Sequence, residues 1–246
     1  MLVAGSMLPL LVLAGFIVMQ SYQRATEAGA AYVLQTARSA MTTADREIEN
    51  QVAALEILTL SRALRTGDLV SFRAEAERFL TRFPNGSGIS LAAPDGQLLL
   101  NTAAAIGAPL PPRQDMEGVE RVLNTKRPHI SQMRIERVSH RPLFTVDIPV
   151  MENGAVIYDL AFSPLLDPFY EMLDALDLPA GYIIAIFDRN SQHIARRPAL
   201  SRTEITSASD TLKSELEKGG DNRIVRTHSV EGAPVLTALA RLPTSG

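Results

Sequence analysis

The 246-residue chain contains no cysteine. This absence excludes disulfide bonds, thiolate zinc sites and thiol nucleophiles together, and it is compatible with an oxidising exterior where a stray thiol is a hazard. The histidines stand singly in different segments, and no two have the spacing that would place them on one helical face, so we expect no metal site. These residues are His129, His140, His193 and His228.

Sequence signatures of bond-making chemistry are missing as well. The chain has no Gly-x-Ser-x-Gly motif and no glycine loop of the kind that cradles phosphates. Its net charge of −3 gives no long-range attraction to a nucleic-acid backbone. We therefore expect no catalysis, no cofactor and no nucleic-acid partner.

One long apolar run opens the chain. Residues 1–19 carry no charged side chain, and about 20 such residues in a helix cross about 30 Å of hydrocarbon. A cleavable signal peptide would show a basic start and a small-x-small exit, and neither is present. We predict an uncleaved membrane anchor over residues 1–21, with a signal peptide as the alternative. Charge does not fix its orientation, because Arg24 is the only nearby cation.

The next segment has the spacing of a long helix. Apolar or small residues recur at steps of three and four from Leu34 to Leu58, and no proline occurs between residues 20 and 82. We predict a helix from about Ala25 to Arg65 within a stalk of residues 22–66. A seam of small residues, Ala37, Ala40 and Ala44, suits close packing. That packing is either against the chain's own fold or against a second copy, which would make a homodimer through this helix.

Residues 67–163 show the pattern of one antiparallel module. Asp68 is placed to cap an amphipathic helix, and two strand-like runs flank the turn Pro94-Asp95-Gly96. A proline-rich loop, a short helix and further strand-like runs follow, and together they predict a five-stranded, PAS-like sheet. The predicted helix covers Met116–Asn124, and the later strands cover Ile130–Val138, Leu143–Val150 and Ala155–Phe162.

The pattern then recurs in a shorter form. Ser163-Pro164 predicts the start of a connecting helix over residues 164–180, since serine caps and proline suits the first helical turn. Residues 181–246 repeat strand, polar turn, strand, helix and hairpin. A repeat spaced by roughly 95 residues indicates two stacked modules and not a solenoid. The predicted fold class is α+β, with a membrane helix and a stalk helix followed by two PAS-like antiparallel modules.

Several stretches of the chain resemble a known family. They include "ISLAAPDGQLLLNT", "GAPLPPR", "RPLFTVDIPVMENGAVIYDLAF" and "LPAGYIIAIFDRNSQHIARR". In this order and spacing they are similar to double Cache domains, the extracytoplasmic sensors of bacterial histidine kinases, notably those with HWE-type transmitters. The resemblance implies an inner-membrane receptor whose residues after about 24 lie outside the cytoplasm. It implies that the distal module binds a small molecule and that a conformational signal crosses the membrane.

A basic cluster lies where that family borders its ligand cavity. It comprises Lys126, Arg127, Arg134, Arg137 and Arg141, opposed only by Glu136. Arginine forms bidentate pairs with carboxylates, so inward-facing members would select a small organic anion, whereas a solvated basic face is the alternative. Strand alternation puts Thr145 and Asp147 on one face, where Arg134 or Arg141 could pair with Asp147. Tyr158, on the neighbouring strand, completes the predicted ligand-binding set, unless it is an ordinary core tyrosine.

One departure from the family bears on the ligand. Its amino-acid-binding members carry an Arg-x-Trp-Tyr cluster, and this chain has no tryptophan. Recognition of that type is therefore not expected. Two other functions stay open: the sensor of a chemoreceptor or cyclic-dinucleotide synthase, and a ligandless interaction or dimerisation module.

Overall fold

The computed structural model describes residues 2–136, 140–220 and 222–242, and the side chains of its first helix are described at 19–21 and from 27 onward. The chain divides into two compact units. One comprises Met1–Met41 and Ser209–Arg241, and the other Thr42–Ala208 and Leu242–Gly246. A long N-terminal helix and antiparallel sheets confirm the α+β class. The predicted boundaries of the two PAS-like modules remain predictions.

The long helix, α1, spans Leu2–Thr59 and ends earlier than the predicted Arg65. Leu60 and Ser61 turn the chain through hydrogen bonds to the carbonyls three residues before them. The Ser61 hydroxyl then accepts the Leu64 N–H at 3.2 Å and caps a separate short helix, α2, at Arg62–Arg65. A capping serine thus interrupts what the apolar spacing predicts as one helix.

Within the residues that the structure describes, no helix is both long enough and apolar enough to cross a membrane. Of the predicted anchor, residues 1–21, the structure describes side chains only at residues 19–21.

The larger unit continues with a series of short elements. In chain order they are α3 (Leu69–Arg82), β1 (Gly86–Ala92), β2 (Leu98–Asn101), α4 (Met116–Thr125), β3 (His129–Ile130), β4 (Arg134–Ile135), β5 (Pro142–Leu143), β6 (Val146–Glu152), β7 (Ala155–Pro164), α5 (Asp167–Asp174), β8 (Ile184–Phe187) and β9 (His193–Arg197). As predicted, Asp68 caps α3 by accepting the Ser71 N–H at 3.1 Å.

A five-stranded antiparallel sheet in the order β2-β1-β7-β6-β3 forms the centre of this unit, as the sequence predicts. Its core is aromatic and aliphatic. Phe72 of α3 and Phe162 of β7 are fully or almost fully buried, and Phe144 and Phe169 meet edge to face with ring centroids 5.8 Å apart. Burial of such side chains supplies the main stabilisation of a module of this size.

The predicted strand over residues 130–138 is wrong, because the segment divides between two sheets. β3 pairs with β6, whereas β4 pairs with β5. Between them the chain leaves the ladder, since the Met133 N–H donates to the Asp188 carboxylate at 2.8 Å. Residues 137 and 138 lie outside the described part of the chain.

The predicted start of the connecting helix at Ser163-Pro164 is also wrong. Strand β7 runs through Pro164, which lies opposite Gly86 in the ladder. Helix α5 begins at Asp167, and Pro168 occupies its first turn instead. Pairing with β1 therefore outweighs the local helix signal.

The two hairpins predicted within residues 181–246 are present, whereas the prediction that they form a second PAS-like module stays a prediction. In the larger unit β8 pairs with β9 as a two-stranded sheet. In the other unit helix α6 (Asp210–Glu217), capped by Ser209, precedes the two-stranded sheet of β10 (Arg223–His228) and β11 (Pro234–Leu239).

Candidate functional site

The loop between β2 and α4 delivers Arg113 to the sheet. The Arg113 N–H donates to the carbonyl of Gly96, in the β1–β2 turn, at 2.8 Å. The Gln97 side-chain amide donates to the Leu110 carbonyl at 2.8 Å and holds the end of the loop to the same turn. Arg113 is consequently buried, with 8% of its surface exposed. The three prolines among the four residues before it would instead predict an exposed loop.

The Arg113 guanidinium lies between two buried carboxylates. Its Nη1 donates to Asp159 and its Nη2 donates to Asp147. The Thr145 hydroxyl accepts from Nη2 at 3.2 Å and donates to Asp147 Oδ2 at 3.1 Å. Asp147 is 0% and Asp159 1% exposed. We call Arg113, Asp147 and Asp159 the charged triad.

The triad carries more negative than positive charge, since two carboxylates share one guanidinium. Asp159 Oδ1 is buried and has no hydrogen-bond partner among the described residues. Burial raises the pKa of Asp159 to about 7, and the neighbouring Asp147 adds to the rise while Arg113 opposes it. Burial also disfavours the charge on Arg113, but Asp147 and Asp159 outweigh it and raise the pKa of the guanidinium.

Asp147 can lie under α4 because residue 118 is glycine. A Cβ at Gly118 would come 2.7 Å from Asp147 Oδ2, a carboxylate already fixed by Arg113 and Thr145. Glycine in the first turn of α4 therefore permits the close approach of helix and buried acid.

Arg134 belongs to a second polar group beside the triad. Its Nη1 donates to the Ser131 hydroxyl at 2.8 Å and lies 3.4 Å from Asp115 Oδ2. Asp115 also caps α4 through the Gly118 N–H, and the Ser131 hydroxyl accepts the Thr145 N–H at 2.8 Å. Burial lowers the pKa of Arg134. Ser131 thus connects Arg134 to Thr145, the residue before β6 that contacts the triad.

Residues 131–134, which we call the linking segment, also contact the β8–β9 turn. Asp188 Oδ2 accepts the Met133 N–H at 2.8 Å, and Asp188 Oδ1 accepts the N–H groups of Asn190 and Gln192 at 2.9 and 2.8 Å. A cavity of about 40 Å³ lies alongside. It has room for a few water molecules only. Its lining includes Ser131, Gln132, Phe144, Phe187, Asp188 and Ile194.

The predicted site residues fall into three groups. Thr145 and Asp147 share one face and contact Arg113, as alternation predicts, but the partner of Asp147 is neither Arg134 nor Arg141. Arg134 does not contact the triad and lies against Asp115 and Ser131 instead. Arg141 is exposed, and its carbonyl accepts the Glu136 N–H. Tyr158, adjacent to Asp159 in β7, projects from the opposite face of the sheet.

Sequence reasoning did not single out Arg113 and Asp159 as site residues. Asp159 is the one charged residue in the apolar run Val156–Phe162, a signal for a buried acid that needs a partner. Arg113 gives no such signal, because loop residues lack the periodicity that reports burial.

No family model matches the sequence, and no curated protein matches it. Among solved structures, the extracellular domain of the putative histidine kinase rpHK1S-Z16 matches with a TM-score of 0.71 and 15% identity, over 87% of this chain and 90% of that one. The ligand-binding domain of the Pseudomonas aeruginosa amino-acid chemoreceptor PctB, in complex with L-Arg, matches with a TM-score of 0.65 and 12% identity, over 88% and 83%. The ligand-binding domain of the Campylobacter jejuni chemoreceptor Tlp3, in complex with L-valine, matches with a TM-score of 0.56 and 11% identity, over 81% and 83%.

The chain therefore has the fold of extracellular sensory domains of histidine kinases and chemoreceptors. At such identities the likeness concerns the fold.

Proposed function

We propose that this chain is the extracytoplasmic ligand-sensing domain of a membrane receptor, in particular of a two-component sensor histidine kinase. The observation that carries the proposal is the likeness to the rpHK1S-Z16 extracellular domain over 87% of the chain. Support comes from the buried charged triad in the centre of a five-stranded sheet, an unusual concentration of ionisable groups for a purely structural core. In this proposal the chain senses and does not catalyse.

We further propose the double Cache arrangement, with a distal module of residues 67–163 and a proximal one of residues 181–246. An anchor at residues 1–21 would hold the domain in the inner membrane, with the residues after about 24 in the periplasm. A homodimer through α1 would carry a shift in the distal module toward the membrane, provided that the ligand contacts two arrangements unequally.

The ligand that we propose is not the small anion that the basic cluster suggests. Arg113 and Arg134 already contact carboxylates of this chain, so a ligand carboxylate would have to displace Asp147, Asp159 or Asp115. We therefore propose a small molecule that engages the triad itself. Amino acids belong in the test set, because the PctB and Tlp3 structures hold them.

Access to the triad would require the loop between β2 and α4 to move. Arg73 of α3 holds the start of this loop by donating to the carbonyls of Asn101, Thr102 and Ala104 at 3.1, 3.2 and 2.8 Å. Ile106 in the same loop is 84% exposed. A loop held at both ends with an exposed centre suits a cover that a ligand displaces.

A calorimetric and thermal-shift screen of the purified chain against amino acids, dicarboxylates and pyruvate-like acids tests the proposal. We expect at least one compound to bind and to raise the melting temperature. Thr145→Val should weaken that binding, because it removes a hydroxyl that contacts Arg113 and Asp147. Thr125→Val, at the exposed end of α4, is the matched control. No response from any compound would contradict the proposal.

A chemoreceptor is the second candidate, and the likeness to PctB and Tlp3 favours it. The coding sequence that follows residue 246 in the parent gene distinguishes the two. A histidine-kinase transmitter there supports the first candidate, and a chemoreceptor signalling domain supports the second.

A further inference from the structure

The charged triad holds a carboxylate oxygen that the rest of the site leaves without a partner. Asp159 is 1% exposed, and its Oδ2 accepts from Arg113 while Oδ1 accepts from no described residue. A buried acceptor in that position carries the full cost of its lost hydration. The site therefore lacks either a donor or a proton at this oxygen.

The charged groups around Asp159 do not supply the donor. Asp147 on β6 is itself an acid, and Asp115, before α4, adds a third carboxylate nearby. Among the described residues, the cations that contact carboxylates here are Arg113, which Asp147 and Asp159 share, and Arg134, which contacts Ser131 and Asp115. On β1 the residue opposite Asp159 is Ala92, which has no titratable group.

His129, on β3 opposite Asp147, is a further titratable group beside the triad. Burial lowers its pKa, so it is largely neutral near neutral pH and adds no positive charge. With His129 neutral, two arginines face three carboxylates, and the excess negative charge is buried.

We propose that the site takes up one proton on the Asp159 carboxyl, between Asp147 and Arg113, when the medium outside is acidified, and that the sensor thereby responds to pH. Proton uptake rests on the burial of Asp159 beside Asp147 and the shared Arg113, whereas exposure to the outside medium and a role in signalling rest on the proposed function. Protonation neutralises the Asp159 carboxylate and leaves Arg113 with one carboxylate, so the buried charges balance. The pKa of about 7 for Asp159 places this change near neutrality.

The direction of the stability change follows from linkage. Because the pKa of Asp159 is higher in the folded chain than its ordinary value of 3.8, the folded state binds the proton more tightly than the unfolded state. The contribution of Asp159 to stability is therefore fully present below about pH 4 and is lost as pH rises through about 7. The acid form of the folded chain keeps the ion pair of Arg113 with Asp147 and has a neutral Asp159 beside it.

Infrared difference spectroscopy and thermal melts of the purified chain between pH 5 and pH 8.5 test the proposal. We expect the band of a protonated carboxyl group to disappear as pH rises, and the melting temperature to fall by roughly 5–10 °C. Asp159→Asn should remove the band and most of this fall. Asp147→Asn should move the midpoint to lower pH by about one unit or more, because Asp147 holds the proton in place by its charge. Glu120→Gln, on the exposed face of α4, is the matched control and should behave as the wild type.

Two results would overturn the proposal. One is a wild-type spectrum with no carboxyl band that titrates between pH 5 and 8.5, a measurement that needs no variant to fold. The other is an Asp159→Asn chain that keeps the wild-type pH dependence. Neither bears on the compound screen, so this proposal and the proposed function can fail independently.

Discussion

At Gly118 a single hydrogen in place of a side chain allows the first turn of α4 to lie against Asp147. Replacing glycine by alanine within a helix ordinarily stabilises it by about 1 kcal/mol. Here the added Cβ would stand 2.7 Å from Asp147 Oδ2, and Asp147 cannot yield without breaking its contact with Arg113. We expect Gly118→Ala to destabilise the chain by about 1–3 kcal/mol in urea unfolding.

Gly29, in α1, is the matched control for that substitution. A Cβ there would meet nothing within 4 Å. Gly29→Ala should therefore be neutral or slightly stabilising. If both alanine variants shifted the urea midpoint in the same direction, the close approach at Gly118 would not be the determining contact.

Arg113 is the residue whose removal should cost most. Arg113→Met leaves Asp147 and Asp159 buried without their counter-charge, and breaking such a pair costs about 3–5 kcal/mol. The loss should be larger at pH 8 than at pH 5, because Asp159 can take up a proton at the lower pH. Urea unfolding followed by circular dichroism at the two pH values measures it.

Arg121→Met provides the comparison for Arg113→Met. Arg121 is on the exposed side of α4, 57% exposed at its side chain and 3.6 Å from Glu117. Exposed pairs of this kind contribute about 0.5 kcal/mol or less. Equal losses from the two methionine variants would show that the triad does not stabilise the unit.

The residues of the site differ in how far the sequence reveals them. Thr145 and Asp147 follow from strand alternation, because a period of two fixes which side chains share a face. The partner of Asp147 does not follow, since Arg113 reaches it from a loop 34 residues earlier in the chain. Contacts that a loop brings across such a distance depend on the whole fold and leave no periodic trace.

Among the elements, the linking segment depends on hydrogen bonds from a different hairpin. Asp188 accepts three backbone N–H groups, of Met133, Asn190 and Gln192. Asp188→Asn replaces one carboxylate oxygen with an amide nitrogen, so at least one of these N–H groups loses its acceptor. We expect a loss of about 1–3 kcal/mol and faster amide hydrogen exchange at Met133, measured by NMR.

Asp95 occupies the corresponding turn of the β1–β2 hairpin and offers a control. Its Oδ1 accepts the Gln97 N–H at 3.0 Å, and asparagine keeps that oxygen. Asp95→Asn should leave exchange at Met133 unchanged. Slow exchange at Met133 in the Asp188→Asn chain would mean that the turn does not hold the linking segment.

The elements that the sequence predicts well are those that local signals define. The β1–β2 hairpin follows from Pro94-Asp95-Gly96, where Gly96 adopts φ +85°. The errors occur where tertiary pairing prevails, as when β7 continues through Pro164 and residues 131–133 leave the sheet for Asp188. In those places the chain satisfies its backbone through partners that no local window contains.

For the whole molecule, burial is distributed unevenly between the two units. Helix α6 has no buried residue, and in β10 and β11 only Thr227 is buried. In the other unit about half of the residues of β1, β6 and β7 are buried. Opening free energies follow such differences in burial.

We therefore expect amide hydrogen exchange in residues 223–239 to be about 100-fold faster than in residues 146–164, a difference of about 3 kcal/mol in opening free energy. Hydrogen–deuterium exchange with mass spectrometry of the intact chain measures both regions in one experiment. Equal protection factors would contradict this expectation and would indicate that the two regions open together.

The shared guanidinium of the charged triad also restricts how this domain can diverge. Replacing Arg113 or Asp147 first would leave a buried charged partner without its counter-charge, so either step should lower the stability of the fold. Asparagine at position 159 is the tolerated opening step, because it removes the surplus charge and preserves the shape. Related proteins that have lost the triad should therefore have acquired asparagine at the position of Asp159 before they lost the equivalents of Arg113 and Asp147. Reconstructed ancestral sequences would show this order of replacement.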